Sequence, residues 1–144
     1  RGLGDVYKRQ ILNGSFIFAA DLMREIELSA QISFVKLASY VGTSSTGSVC
    51  EMIGLNVDIS GRDVVVVEDI VDSGLTMKYV TEMLAKYNPR SISICTLLLK
   101  PGNLKVDLDI PYKCFSIPND FILGYGLDYD GYGRNTRDIY TVVE

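Results

Sequence analysis

Val64-Val65-Val66-Val67-Glu68-Asp69-Ile70-Val71-Asp72-Ser73-Gly74-Leu75-Thr76 is the stretch from which the rest of this chain can be read. Four consecutive valines follow the turn signal Ser60-Gly61. A continuous apolar run of this kind is a strand buried on both faces, which implies a parallel sheet with helices on each side. Helical spacing follows at Met77, Val80, Leu84 and Tyr87, and Asn88-Pro89 ends it. Residues 91–99, Ser-Ile-Ser-Ile-Cys-Thr-Leu-Leu-Leu, read as a second buried strand. Residues 64–99 thus carry strand, helix and strand, the βαβ unit of an α/β fold.

The same stretch carries chemistry. Open α/β sheets bind ligands at the carboxyl ends of their strands, and here the strand ends on Glu68-Asp69. Two adjacent carboxylates suit the neighbouring hydroxyls of a ribose, or a nearby Mg²⁺. Asp72-Ser73-Gly74-Leu75-Thr76 then leads into a helix. Gly74 permits a tight loop, so backbone N–H groups at the helix N-terminus, with the Ser73 and Thr76 hydroxyls, form a nest for phosphate. A diol site beside a monophosphate site describes a ribose 5-phosphate. Taken singly, acids after a strand are commonly just solvated and Asp-Ser-Gly is an ordinary turn. Their occurrence together and in order favours the functional reading.

Outward from this unit, Phe16, Ile17, Ala20, Met23 and Ile26 form a helical stripe over residues 15–28, with Ser15 as its cap. Residues 31–41 read as a strand, 42–48 as a small polar loop and 49–57 as a returning strand. Residues 112–117 and 139–143 read as further strands. Residues 1–10 have neither periodicity and read as an unrelated segment, leaving residues 11–144 as one domain. The apolar fraction of 47% and charged fraction of 22% are those of a globular protein. A net charge of −4 argues against nucleic acid as the main partner. No apolar run approaches the ~20 residues that span a bilayer, and no signal peptide is visible, so a cytoplasmic location is expected. Cys50, Cys95 and Cys114 lack the spacing of a disulfide or zinc site, and Cys95 and Cys114 read as core filler. With no histidine in the chain, acid–base chemistry falls to Asp, Glu, Lys or Tyr.

The thirteen residues 64–76 resemble the phosphoribosyl pyrophosphate (PRPP) binding motif of type I phosphoribosyltransferases, and the Glu-Asp-Ile-Val-Asp-Ser-Gly form resembles the hypoxanthine–guanine branch. The resemblance extends over residues 11–144 and implies a Rossmann-like central parallel sheet flanked by helices, with a small hood and flexible-loop region. It implies that Glu68, Asp69, Asp72, Ser73, Gly74, Leu75 and Thr76 bind the ribose phosphate. Leu12-Asn13-Gly14-Ser15 resembles the family's pyrophosphate loop, with Asn13 where Lys is common. Ser39-Tyr40 resembles the start of the loop that closes over the site. Lys100 matches a lysine that contacts the oxygen at purine C6, and Phe121 and Ile122 match residues at the base. Asp128 matches an acidic residue beside the purine that helps hold Mg²⁺, with Glu68 and Asp69 as further metal candidates. Arg134 matches an arginine that contacts pyrophosphate, a task suited to its planar fork.

The implied reaction is displacement of pyrophosphate from PRPP by a 6-oxopurine, with Mg²⁺ as cofactor, Asp72 as acid/base at purine N7 and a lid over residues 39–48. A homodimer or homotetramer is expected, with no membrane partner. The alternatives are another type I phosphoribosyltransferase, acting on xanthine, uracil or adenine, or a non-catalytic nucleotide- or RNA-binding regulator of the same fold. Family members carry an apolar strand before the pyrophosphate loop, where this chain has Asp5-Val6-Tyr7-Lys8-Arg9-Gln10. The chain therefore reads as N-terminally shortened, with lower stability and activity expected.

Overall fold

A computed structural model describes residues 7–9, 11–41 and 48–143. In chain order the elements are β1 (Tyr7–Arg9), α1 (Ile11–Glu25), β2 (Lys36–Val41), β3 (Ser48–Ile53), β4 (Asp63–Val71), α2 (Leu75–Ala85), β5 (Ser91–Leu99), a 3-10 turn at Pro101–Asn103, β6 (Tyr112–Ser116), β7 (Ile122–Leu123) and β8 (Tyr140–Thr141). The valine run and the 91–99 run pair in parallel, from Asp63 opposite Ser91 to Val71 opposite Leu99. β6 joins the far side of β5, also in parallel. The sheet order is therefore β4-β5-β6.

Helices cover both faces, as the βαβ reading requires. Met77, Val80 and Leu84 of α2 pack with Val66, Val71, Ile94 and Leu99. Phe18 and Leu22 of α1 pack on the other side with Leu97, Leu98, Val67 and Ile70. Met77 and Val80 are almost wholly buried, and each such side chain contributes roughly 1.5–3 kcal/mol relative to exposure. Asn88, with φ of 56°, turns the chain after α2. Its carbonyl accepts from Gly61 N–H at 2.9 Å, and the Arg62 carbonyl accepts from Arg90 N–H at 2.8 Å. The starts of β4 and β5 are thereby strapped side by side.

Several boundaries differ from the sequence reading. β4 is not buried on both faces along its whole length: Val65 is 53% exposed. α1 covers only the carboxyl half of that face, where Val67 and Ile70 pack against its cluster. Among the described residues β4 has no neighbour on the side away from β5. Ser15 is not a helix cap but a buried residue inside α1, which begins at Ile11. Glycine in a helix costs only about 1 kcal/mol, so Gly14 does not stop the helix from extending back. Residues 7–9 pair antiparallel with β2, despite showing no periodicity. The strand expected from residue 31 starts at Lys36. Before it, the Ser33 hydroxyl donates to the Asn56 carboxamide at 3.1 Å, a side-chain link in place of a ladder. Cys95 is buried as expected, but Cys114 is exposed because it lies on the outer strand β6, all five residues of which face solvent. Cys50 has no described side chain, and the loop residues 42–47 lie outside the described residues.

Candidate active site

The loop from β4 into α2 is held from behind. Gly74 has φ of 83°, a left-handed conformation that glycine adopts without strain. A Cβ there would sit 2.8 Å from Leu108 and 2.9 Å from Val106, so the loop is pressed onto the 104–108 segment. Lys105 N–H donates to the Ser73 carbonyl at 2.9 Å, and Leu75 N–H donates to the Ser73 hydroxyl at 3.3 Å. The first N–H groups of a helix have no partner within it. Apart from Leu75 N–H, which takes the Ser73 hydroxyl, those of α2 lie at this loop beside the half-buried Thr76, while Leu75 turns its side chain to solvent. Such a surface can hold a phosphate.

Glu68 and Asp69 follow the valine run near the carboxyl end of β4, with their carboxyl groups close together. Glu68 is buried and its carboxylate accepts from Asp69 N–H at 2.9 Å. Burial first, and the neighbouring Asp69 second, push the Glu68 carboxyl well above the usual glutamate range. Asp69 accepts from Ile70 N–H at 2.7 Å and lies against Gly14 so closely that any Cβ on Gly14 would overlap its carboxylate.

Asp72 and Lys100, 28 positions apart, come together. The Lys100 ammonium is nearly buried and lies 3.7 Å from Asp72 Oδ2, while the Asp72 carboxylate is half exposed. Lys100 N–H donates to the Val71 carbonyl at 3.0 Å, fixing the lysine at the end of β5 beside the β4–α2 loop. Asn103, two positions beyond Pro101, donates from its amide to Asp72 Oδ1 at 2.9 Å and to Asn119 Oδ1 at 2.7 Å. Neither asparagine was singled out from the sequence, although Pro101-Gly102 is a turn signal that folds Asn103 back toward Lys100.

The opposite end of the site comes from residues 121–141. A Cβ on Gly126 (φ 97°) would meet the Gly14 carbonyl at 2.5 Å, so these two glycine backbones touch. Arg134 donates to the Gly126 carbonyl at 2.7 Å and pairs with Asp128 at 3.2 Å. Asp128 also accepts from Gly131 N–H at 2.8 Å. Gly14, Asp69, Gly126, Asp128 and Arg134 thus form one connected group. Asn13 lies in the first turn of α1, not in a loop, and Ser39 and Tyr40 lie in β2 opposite Cys50 and Val49. The side chains of Asn13, Ser39 and Tyr40 are outside the described residues. Phe121 is exposed, with its ring 5.8 Å from that of Tyr129, edge to face. Ile122 pairs with Thr141. The Tyr125 hydroxyl donates to Asp21 of α1, and burial followed by this bond pushes its pKa up to about 12. Among the described residues no group of three or more acidic or cysteine side chains forms a ready metal cage.

Residues 11–130 match the phosphoribosyl transferase domain family. The chain is 45% identical over 139 residues to a hypoxanthine-guanine phosphoribosyltransferase of Mycobacterium tuberculosis, covering 96% of this chain and 69% of that protein. It is 46% identical over 120 residues to a hypoxanthine phosphoribosyltransferase of Escherichia coli, covering 83% and 67%. The chain spans about two thirds of the length of the curated relatives it matches. Among solved structures, a hypoxanthine phosphoribosyltransferase of Staphylococcus aureus superposes with a TM-score of 0.83 at 38% identity, covering 95% of this chain and 78% of that one. A hypoxanthine-guanine phosphoribosyltransferase of Bacillus anthracis gives 0.79 at 38% identity, covering 92% and 78%. A glycine loop after a parallel strand, an acid–lysine pair at its mouth and these likenesses lead to one conclusion: the chain belongs to the phosphoribosyl transferase family, in its hypoxanthine–guanine branch.

Proposed function

We propose that this chain transfers the 5-phosphoribosyl group from PRPP to hypoxanthine, guanine or both, giving the nucleoside monophosphate and pyrophosphate. The observation that carries the reading is Asp72 at the mouth of the phosphate loop with the Lys100 ammonium 3.7 Å away. A carboxylate able to exchange a proton beside a cation able to hold an oxopurine oxygen supports the reading. Residues 72–76 hold the 5-phosphate, and Glu68 and Asp69 hold the ribose hydroxyls. Asp72 exchanges the proton at purine N7, so that the base can attack through N9 as pyrophosphate departs. Lys100 binds the oxygen at C6, which selects oxopurines over adenine. Phe121 stacks on the base, and Ile122 contacts it through its main chain. Asn13, Gly14, Ser39, Tyr40 and Arg134 bind pyrophosphate.

Mg²⁺ is held by one or two carboxylates together with substrate phosphates rather than by a protein cage. Asp128, with Glu68 and Asp69 as further candidates, would hold such an ion, which would supply neutralisation of the departing pyrophosphate. We propose further that the domain comprises residues 11–144 and works in the cytoplasm as a homodimer or homotetramer. No helix among the described residues is long and apolar enough to cross a membrane. The test is nucleotide formation, followed by absorbance, from PRPP, Mg²⁺ and hypoxanthine or guanine. Turnover with either base supports the reading. Absence of turnover with both, or turnover with adenine alone, refutes it.

A further inference from the structure

The carboxylate of Asp72 stands at the surface, about half exposed, and the Lys100 ammonium at 3.7 Å is beyond hydrogen-bond length. Charge attraction at that distance does not fix a rotamer. The Asn103 amide does: its nitrogen lies 2.9 Å from Asp72 Oδ1. An ionised carboxylate only accepts, so the NH₂ side of Asn103 must face it. The second hydrogen of the same nitrogen reaches Asn119 Oδ1 at 2.7 Å. Asn103 itself sits at the end of the 3-10 turn, its N–H bonded to the Lys100 carbonyl at 3.0 Å. One amide thus bridges the carboxylate to the chain segment that reaches Phe121 two residues later.

We propose that Asn103 is the positioning residue for Asp72, with Asn119 as its anchor. Asn103 holds Oδ1, so that Oδ2 faces Lys100 and the base, and it sets the spacing between the proton-exchanging group and the ring at Phe121. This inference rests on Asp72 being the acid/base of the proposed reaction. A misplaced catalytic group costs rate rather than substrate affinity, so the role has a signature distinct from loop stabilisation.

The test is a double-mutant cycle. kcat and KM for PRPP and hypoxanthine are measured in the unsubstituted protein, Asn103→Leu, Asn119→Leu, Asp72→Asn and the Asp72→Asn/Asn103→Leu double variant, with a urea midpoint for each. Asn103→Leu is expected to lower kcat about 10- to 100-fold, with KM for PRPP within about twofold. In the Asp72→Asn background the same change is expected to have no further effect, because its object is gone. Asn119→Leu, which leaves the Asn103–Asp72 bond in place, is expected to give a smaller loss of kcat. An unchanged kcat in Asn103→Leu overturns the proposal, as does a loss that persists in full in the Asp72→Asn background. If Asn103→Leu does not fold, a kcat for Asn119→Leu equal to that of the unsubstituted protein overturns it alone. A normal kcat in Asp72→Asn, or no turnover in the unsubstituted protein, overturns the reading of the site and this inference with it. A low kcat in Asp72→Asn beside a normal one in Asn103→Leu overturns this inference only.

Discussion

Residues 63–85 and residues 121–141 face the same site, and they are held in different ways. The first region is one strand, one loop and one helix, each continuous in sequence. Its loop glycine, Gly74, presses on the side chains of Leu104, Val106 and Leu108. The second region has two two-residue strands joined by turns, with left-handed backbone at Tyr125, Asp130 and several glycines. Its glycine Gly126 presses on backbone, the Gly14 carbonyl. Side chains can yield by changing rotamer, whereas backbone anchored in a helix cannot. The end built on the β4–α2 loop therefore tolerates local change better than the end that carries Asp128 and Arg134.

The largest expected effect tests whether the first region is the chemical one. Asp72→Asn should lower kcat about a thousandfold, the scale of a lost acid/base group. Nucleotide assays would break the comparison if the loss were under about tenfold. Next comes the pair of glycines. Gly126→Ala should cost about 3 kcal/mol in urea unfolding, from backbone strain and a backbone clash together. Gly74→Ala should cost about 1–2 kcal/mol, because only side chains must move. Equal losses would remove the distinction between the two ends.

A smaller effect concerns Glu68. Its carboxyl is raised above the ordinary 4.5, so the folded state binds this proton more tightly than the unfolded one. The resulting stabilisation is fully present below about pH 4.5 and is lost as pH rises through the folded value. Glu68→Gln cannot ionise and should unfold at a higher urea concentration than the unsubstituted protein at pH 8, with the gap closing toward pH 4. A gap independent of pH would contradict this. The smallest effect is at the surface, where Arg90 forks onto Asp63, with Nε to Oδ1 at 2.9 Å. The pair is exposed and screened, so Arg90→Ala should leave the urea midpoint at pH 7 unchanged within error. The Asp63 carboxyl is held below its usual range by the Arg90 and then the Ser91 hydrogen bonds. Any stability from the pair is thus present above the ordinary value of 3.8 and fades as pH falls below it.

The first region was readable because its information is local. The apolar run at residues 91–99 matches β5 residue for residue, and Gly74 announced the turn it makes. Even there, one strand's own pattern could not say which neighbours cover it, and Val65 stands half open. The second region was readable only through resemblance. Tyr125 and Gly126 look like ordinary turn residues, and nothing in their neighbourhood points to Asp21 or Gly14. Asn103 falls between these cases. Pro101-Gly102 is a turn signal that the sequence reading passed over, and the bond from Asn103 to Asp72 spans 31 positions and follows from the fold.

The contact between Tyr125 and Asp21 joins residues 104 positions apart. Its meaning extends to the order of folding. Closing a chain of that length rather than the 31 residues between Asp72 and Asn103 is under two doublings, an added entropy cost of about 1 kcal/mol. The long closure is cheap, but it cannot begin until residue 125 has been synthesised. A nascent chain can assemble β4, α2 and β5 while the side of the site that faces α1 still stands open. The β4–α2 loop then forms before residues 121–141, which close onto α1, a helix made earlier in the chain.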